Sequence, residues 1–389
     1  MRSSTRRTVL WALALVTALA LVAFAYLRDD SPADDVVSSP TGPTVPDDPG
    51  TGCGKAAVTD PADLRIGRPV ARCAADSPAA RPLSPPAALR VAVSEPSEGS
   101  APLRVAEATG AFAAEGLTVD IVDMSQRDAY DAMARGEVDV VVGGVDGPFL
   151  DAVRRGSGAR LVLGGALARA PEDTSVAQGG LWVRRDALPD MDDWSTLRGQ
   201  AVAVNGGLGS SALYPIRTVL GEEELSPASV DVVPASPADA AEQLANGDVN
   251  LAWLPEPEAA TAAGHDNLML VATLPAGESI EGTVFAPRLL AADRAVGLAY
   301  VRAIVRTINT HLADGYDDEA LDAMSADLDV PAARLADDSP PVFDWELRAG
   351  TTDRIQGALV DVGGIGYEQP LPETALVDRS LYGDVVAAG

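Results

Sequence analysis

The chain of 389 residues carries 29 basic and 57 acidic side chains, a formal charge of −28, with 47% hydrophobic content, which suits one large or two medium domains around a sizeable core. A charge this negative opposes phosphate backbones and anionic membranes, so the sequence excludes nucleic acid as a partner and leaves a small molecule or another protein. A single lysine (Lys55), two histidines (His265 and His311) and two cysteines supply no metal cluster of ordinary spacing and almost nothing for lysine-linked cofactor chemistry, so neither metal nor cofactor is expected.

Arg2, Arg6 and Arg7 precede an almost wholly apolar run, Val9 to Leu27. Residues 1–27 therefore read as a signal peptide or a membrane anchor, with the N-terminus in the cytoplasm and the remainder outside. Ala23-Phe24-Ala25 has the form a signal peptidase accepts, while the apolar run approaches a bilayer span, so cleavage and anchoring both stand. Cys53 is too far past Leu27 for a lipid anchor. Residues 28–87, rich in Pro, Asp, Ser and Ala, read as a mobile linker and cap. In an oxidising compartment the even pair Cys53 and Cys73 suggests a disulfide tying the cap to the domain, the alternative being two free thiols.

From Leu89 short apolar strands alternate with amphipathic helices, the pattern of an α/β fold. The first unit has strand Leu89–Ser94, a helix opening near Ser100, strand Thr118–Asp123, a helix Gln126–Arg135 capped by Ser125, and strand Val138–Val142. The offset that carries Val91 onto Val202 reproduces this order: strand Ala201–Val204, a helix opening near Ser210, strand Val230–Val233, a helix Pro237–Asn246 capped by Ser236, and strand Val249–Leu254. Laid without a gap, residues 91–138 and 202–249 share 15 identities in 48 positions, among them Val91-Ala92-Val93 with Val202-Ala203-Val204 and Ser100-Ala101 with Ser211-Ala212. The duplication predicts two equivalent lobes with a cleft between them. In such sheets ligands sit beyond the carboxyl ends of the strands, where helix N-termini present unpaired N–H groups. That places candidate ligand residues in two matched loops: Ser94, Glu95 and Ser100 in the first, and Asn205, Gly207, Ser210 and Ser211 in the second. Short hydroxyl and glycine residues there let a ligand approach the backbone, although each also suits an ordinary cap or turn.

The run LRVAVSEP, APLRVAEATGAFAAEGLTVDIVDM and DAYDAMARGEVDVVVGG resembles the first lobe of substrate-binding proteins of ABC importers, in the group that takes nitrate, taurine, aliphatic sulfonates and thiamine-pyrimidine precursors. WSTLRGQAVAVNGGLGSSALY resembles that family's entry into the second lobe, and ADAAEQLANGDVNLAWLPEPEAATAAG its helix–Gly–strand–Glu-Pro segment. The resemblance spans residues 89 to about 310 and implies a two-lobed type II periplasmic-binding fold whose hinge is crossed at Gly179–Arg185 and Gly282–Pro287. Residues 88–185 with 281–389 would form the first lobe, its C-terminal helices such as Ala291–Ala313 packed on it, and residues 186–280 the second. Carried over by position, the ligand loops gain Gly144 and Asp146 after the third strand, and Trp253 and Glu256. Asp146 equally suits a helix cap, Trp253 a core position and Glu256 a helix start. Pro215, one turn into the second-lobe helix, is expected to shift that helix's start towards Tyr214.

The implied protein is an extracytoplasmic monomer, surface-held or secreted, that captures a small-molecule ligand and delivers it to an ABC permease, without catalysis. Glu95, Glu98, Asp146 and Glu256, against Arg127 as the one nearby cation, disfavour a bare oxyanion and point to a neutral or partly cationic molecule, such as a flat heterocycle stacked on Trp253, with a sulfonate as second choice. A tethered solute sensor or scaffold is the alternative reading. A pyrimidine synthase of the same family would need a lysine–cofactor link and a His/Cys cluster that this chain lacks.

Overall fold

Val91, Ala92 and Val93 are all buried, as are Val202, Ala203 and Val204. Such unbroken apolar runs belong to parallel strands covered on both faces. A computed structural model describes residues 53–54, 57–94, 97–168, 179–337 and 341–388. The expected export segment lies outside them. Among the described residues no helix is long and apolar enough to cross a membrane.

The chain forms strands β1 (Ala87–Val93), β2 (Leu117–Asp123), β3 (Val140–Gly144) and β4 (Arg160–Leu163), then the short β5 (Ala166–Leu167). A second set follows: β6 (Gly180–Arg184), β7 (Ala201–Val204), β8 (Asp231–Pro234), β9 (Leu251–Leu254) and β10 (Leu268–Ala272). β11 (Glu281–Phe285) and β12 (Val342–Phe343) complete them. One sheet has the order β2-β1-β3-β11-β4, the other β8-β7-β9-β6-β10, while β5 pairs with β12. In each large sheet the first three strands of that order run parallel, and the fourth is antiparallel to both its neighbours. Val91 opposes Val140, and its repeat equivalent Val202 opposes Leu251, so the register repeats with the sequence.

The longer helices are α1 (Ala101–Ala108), α2 (Gln126–Ala134), α3 (Gly147–Arg154), α4 (Leu213–Glu222), α5 (Pro237–Asn246), α6 (Arg294–His311), α7 (Asp318–Leu328), α8 (Thr351–Asp361) and α9 (Ser380–Ala387). Ser125 caps α2 and Ser236 caps α5 in the same way, each accepting the N–H of an aspartate three residues on at 3.2 Å. Pro215 sits in the first turn of α4, where its missing N–H costs nothing.

The structure places both hinge crossings earlier in the chain than expected. Gly180–Arg184 and Glu281–Phe285 are strands of the second and first sheets, each antiparallel to its neighbours, so the chain changes sheets just before them. The two crossing segments pair where Ala168 N–H donates to Glu278 and Gly277 N–H to Ala168, at 2.9 and 2.8 Å. The C-terminal region also does not pack on the first sheet alone. α6 lies against α1 and α9, whereas α8 packs on α4 of the second half, with Arg217 and Asp361 paired at 2.7 Å. The amphipathic pattern of α8 shows that it needs a partner, and only the fold decides which.

Residues 57–87, expected within a mobile linker, hug the first half. Arg68, Val70, Ala71, Arg72 and Cys73 are all buried, and Asn309 of α6 accepts the Cys73 N–H at 2.9 Å. Arg68 pairs with Asp344 at 3.2 Å and donates to the Gly277 carbonyl at 3.0 Å, tying this strap to the second crossing. Cys53 and Cys73 form a disulfide across 20 residues. A loop of that size restricts the unfolded chain by about 3 kcal/mol. Cys53→Ser should lower the melting temperature, and reductant should lower the parent's to match while leaving the variant's unchanged.

Candidate ligand-binding site

The carboxyl ends of β1, β3, β7 and β9 converge on a cavity of about 140 Å³. Six pairs of its lining residues are repeat equivalents: Ser94 and Asn205, Gly99 and Ser210, Ser100 and Ser211, Gln126 and Pro237, Val142 and Trp253, Gly144 and Pro255. Each half thus presents the same strand ends and helix starts to one space.

Of the residues singled out in the sequence, Ser94, Ser100, Gly144, Asp146, Asn205, Ser210, Ser211 and Trp253 line the cavity together. Glu95 lies outside the described residues. Gly207 does not reach the cavity: at φ 58° it turns against Pro234 of β8, a conformation glycine adopts without penalty. Glu256 is also absent from the lining, because its Oε2 accepts the Ala260 N–H at 3.1 Å in the short helix Glu258–Ala263. Arg127 is exposed outside the lining, while its neighbour Gln126, at the first position of α2, faces in.

Charge enters where the two halves differ. Asp146 does not cap α3. Its Oδ1 instead accepts the Ser211 N–H of the opposite half at 2.7 Å. Burial raises its carboxyl above the ordinary value, and the Ser211 hydroxyl and then the Ser211 N–H partly offset the rise. Glu281 pairs across the ladder with Gly144, two positions before Asp146. Its Oε2 sits against Gly99 so closely that any side chain at that position would displace it. Burial, and then the Asp146 charge, push Glu281 up to about 7. Glu258 adds a third carboxylate, Asp344 lines the cavity with its own carboxylate paired to Arg68 and Arg348, and among the described lining residues none is Arg, Lys or His.

Sequence reasoning missed Gln126, Glu258, Glu281, Thr283, Tyr300 and Asp344. Gln126 was within reach, because its repeat equivalent Pro237 also begins a capped helix. Glu281 and Tyr300 arrive from beyond the second crossing, which has no counterpart inside the repeat.

Residues 98–288 match the family described as NMT1/THI5 like. A ligand-binding component of an ABC-type import system from Staphylococcus aureus, solved with zinc bound, is 14% identical, with a TM-score of 0.60 over 77% of this chain and 99% of its own. The alkanesulfonate-binding protein SsuA from Xanthomonas axonopodis pv. citri, bound to MOPS, is 18% identical, with a TM-score of 0.55 over 75% and 98%. The periplasmic nitrate-binding protein NrtA from Synechocystis PCC 6803 is 13% identical, with a TM-score of 0.58 over 77% and 88%. Comparison with curated proteins gives no match. Residues 98–288 are therefore similar to the NMT1/THI5-like family, within a fold shared with a ligand-binding component of an ABC-type import system and with alkanesulfonate- and nitrate-binding proteins.

Proposed function

We propose that the protein is an extracytoplasmic solute-binding component that holds a small organic molecule between its two halves and presents the ligand-bound form to an ABC-type permease. The observation that carries this reading is the set of repeat-equivalent residues facing one cavity, because a ligand touching both halves stabilises their approach and so favours one arrangement of the pair. The similarity in fold to import components supports delivery to a permease, and capture of this kind requires no bond to be broken.

A thermal-shift screen of the protein against sulfonates, nitrate, pyrimidines, flavins and amines tests the reading. A ligand at a thousand times its dissociation constant should add about 4 kcal/mol of stability. Trp253→Ala and Ser211→Ala should each shrink the resulting shift; a shift unchanged in both would place the ligand elsewhere. Mass spectrometry of the mature N-terminus separates a diffusing component, cut after Ala25, from one tethered by Val9 to Leu27.

A further inference from the structure

Several polar groups around the cavity have their donors spent on the protein itself. Ser211 N–H, the donor a bound oxyanion would seek at the start of the second-half helix, is taken by Asp146 Oδ1 at 2.7 Å. Ser100 spends its hydroxyl proton on the Ser97 carbonyl at 2.7 Å, so its oxygen faces a ligand as an acceptor. Gln126 spends Nε2 on the Gly144 carbonyl at 3.1 Å, which fixes the amide's orientation and leaves Oε1 sealed from solvent without a hydrogen-bond partner. Pro102, at the start of α1, supplies no N–H. These donors are taken up within the protein itself, and the lining adds the Asp146 and Glu281 carboxylates beside the Ser210 and Tyr300 hydroxyls.

Resting on the solute-capture reading, we infer that the ligand is a small organic monocation rich in N–H donors, of the amidinium class, whose N–H groups are accepted by Glu281 and Asp146. A cavity of about 140 Å³ is close to the roughly 150 Å³ that holds benzene, which matches a ligand of about one ring. Trp253 supplies an aromatic surface to a flat cation.

Three ring compounds of similar shape separate the possibilities by calorimetry and thermal shift on the full-length protein: benzamidinium, benzamide and benzenesulfonate. Benzamidinium should bind at least about tenfold more tightly than benzamide, with no binding of the sulfonate, and Glu281→Gln should weaken benzamidinium at least about tenfold more than it weakens benzamide. Tighter binding of the sulfonate, lost in Trp253→Ala, would overturn the cation inference and leave solute capture standing. Benzamidinium affinity unaffected by Glu281→Gln would also overturn it. Binding of none of the three would count against the capture reading and the inference together.

Discussion

Glu281→Gln should make the ligand-free protein more stable than its parent above neutral pH. Burial, followed by the charge of Asp146, raises this carboxyl from an ordinary 4.5 to about 7. Below about 4.5 the group is protonated in both folded and unfolded chains and contributes no pH dependence. Between 4.5 and 7 the folded protein binds the extra proton, so stability falls as pH rises through that window, by up to about 3 kcal/mol. Glutamine keeps the shape and removes the ionisation. Urea midpoints of parent and variant should converge at the acid end of that window and separate above its alkaline end, with the variant ahead. Parallel curves would mean that the carboxylate is fully solvated. Asp146 and Glu258, also raised by burial, face the same cavity, and the parent-minus-variant difference cancels their shared contribution to first order. A side chain that destabilises the empty protein yet lines its cavity is what a binding role predicts.

Glu115→Ala should cost about 3–5 kcal/mol, the largest loss expected from a single side chain outside the cavity. Glu115 is fully buried before β2 and bonds Arg302 and Arg306 of α6 at 2.8 and 2.7 Å. It also accepts the Arg81 N–H of the strap at 3.2 Å. One carboxylate therefore joins three segments that are remote in sequence. Its removal leaves two nearly buried guanidinium groups facing each other without an anion. Thermal unfolding should show a fall on the order of 5 °C, with Glu115→Gln falling less because its amide oxygen still accepts. An unchanged melting temperature would show that water replaces the carboxylate at no cost.

Features with a local or repeated cause were legible in the chain alone. Strand Ala201–Val204 and the capped helix Pro237–Asn246 follow from apolar runs and a Ser-x-x-Asp cap, and the internal duplication carried the same logic into both halves. The duplication also located the paired loops at Ser94–Ser100 and Asn205–Ser211, because a repeated unit directs equivalent ends at a common space. Long-range packing settled the rest. Glu281 reaches Gly144 through antiparallel pairing with a strand far back in the chain, α8 leaves its neighbours to cover α4, and Asp146 turns from its own helix to the Ser211 amide of the other half. Asp146 stands at the cap of its own helix, and the Ser211 amide of the other half takes its carboxylate instead. Periodicity and capping report only what lies close by along the chain, whereas charge placement in the cavity depends on which distant strand closes each sheet.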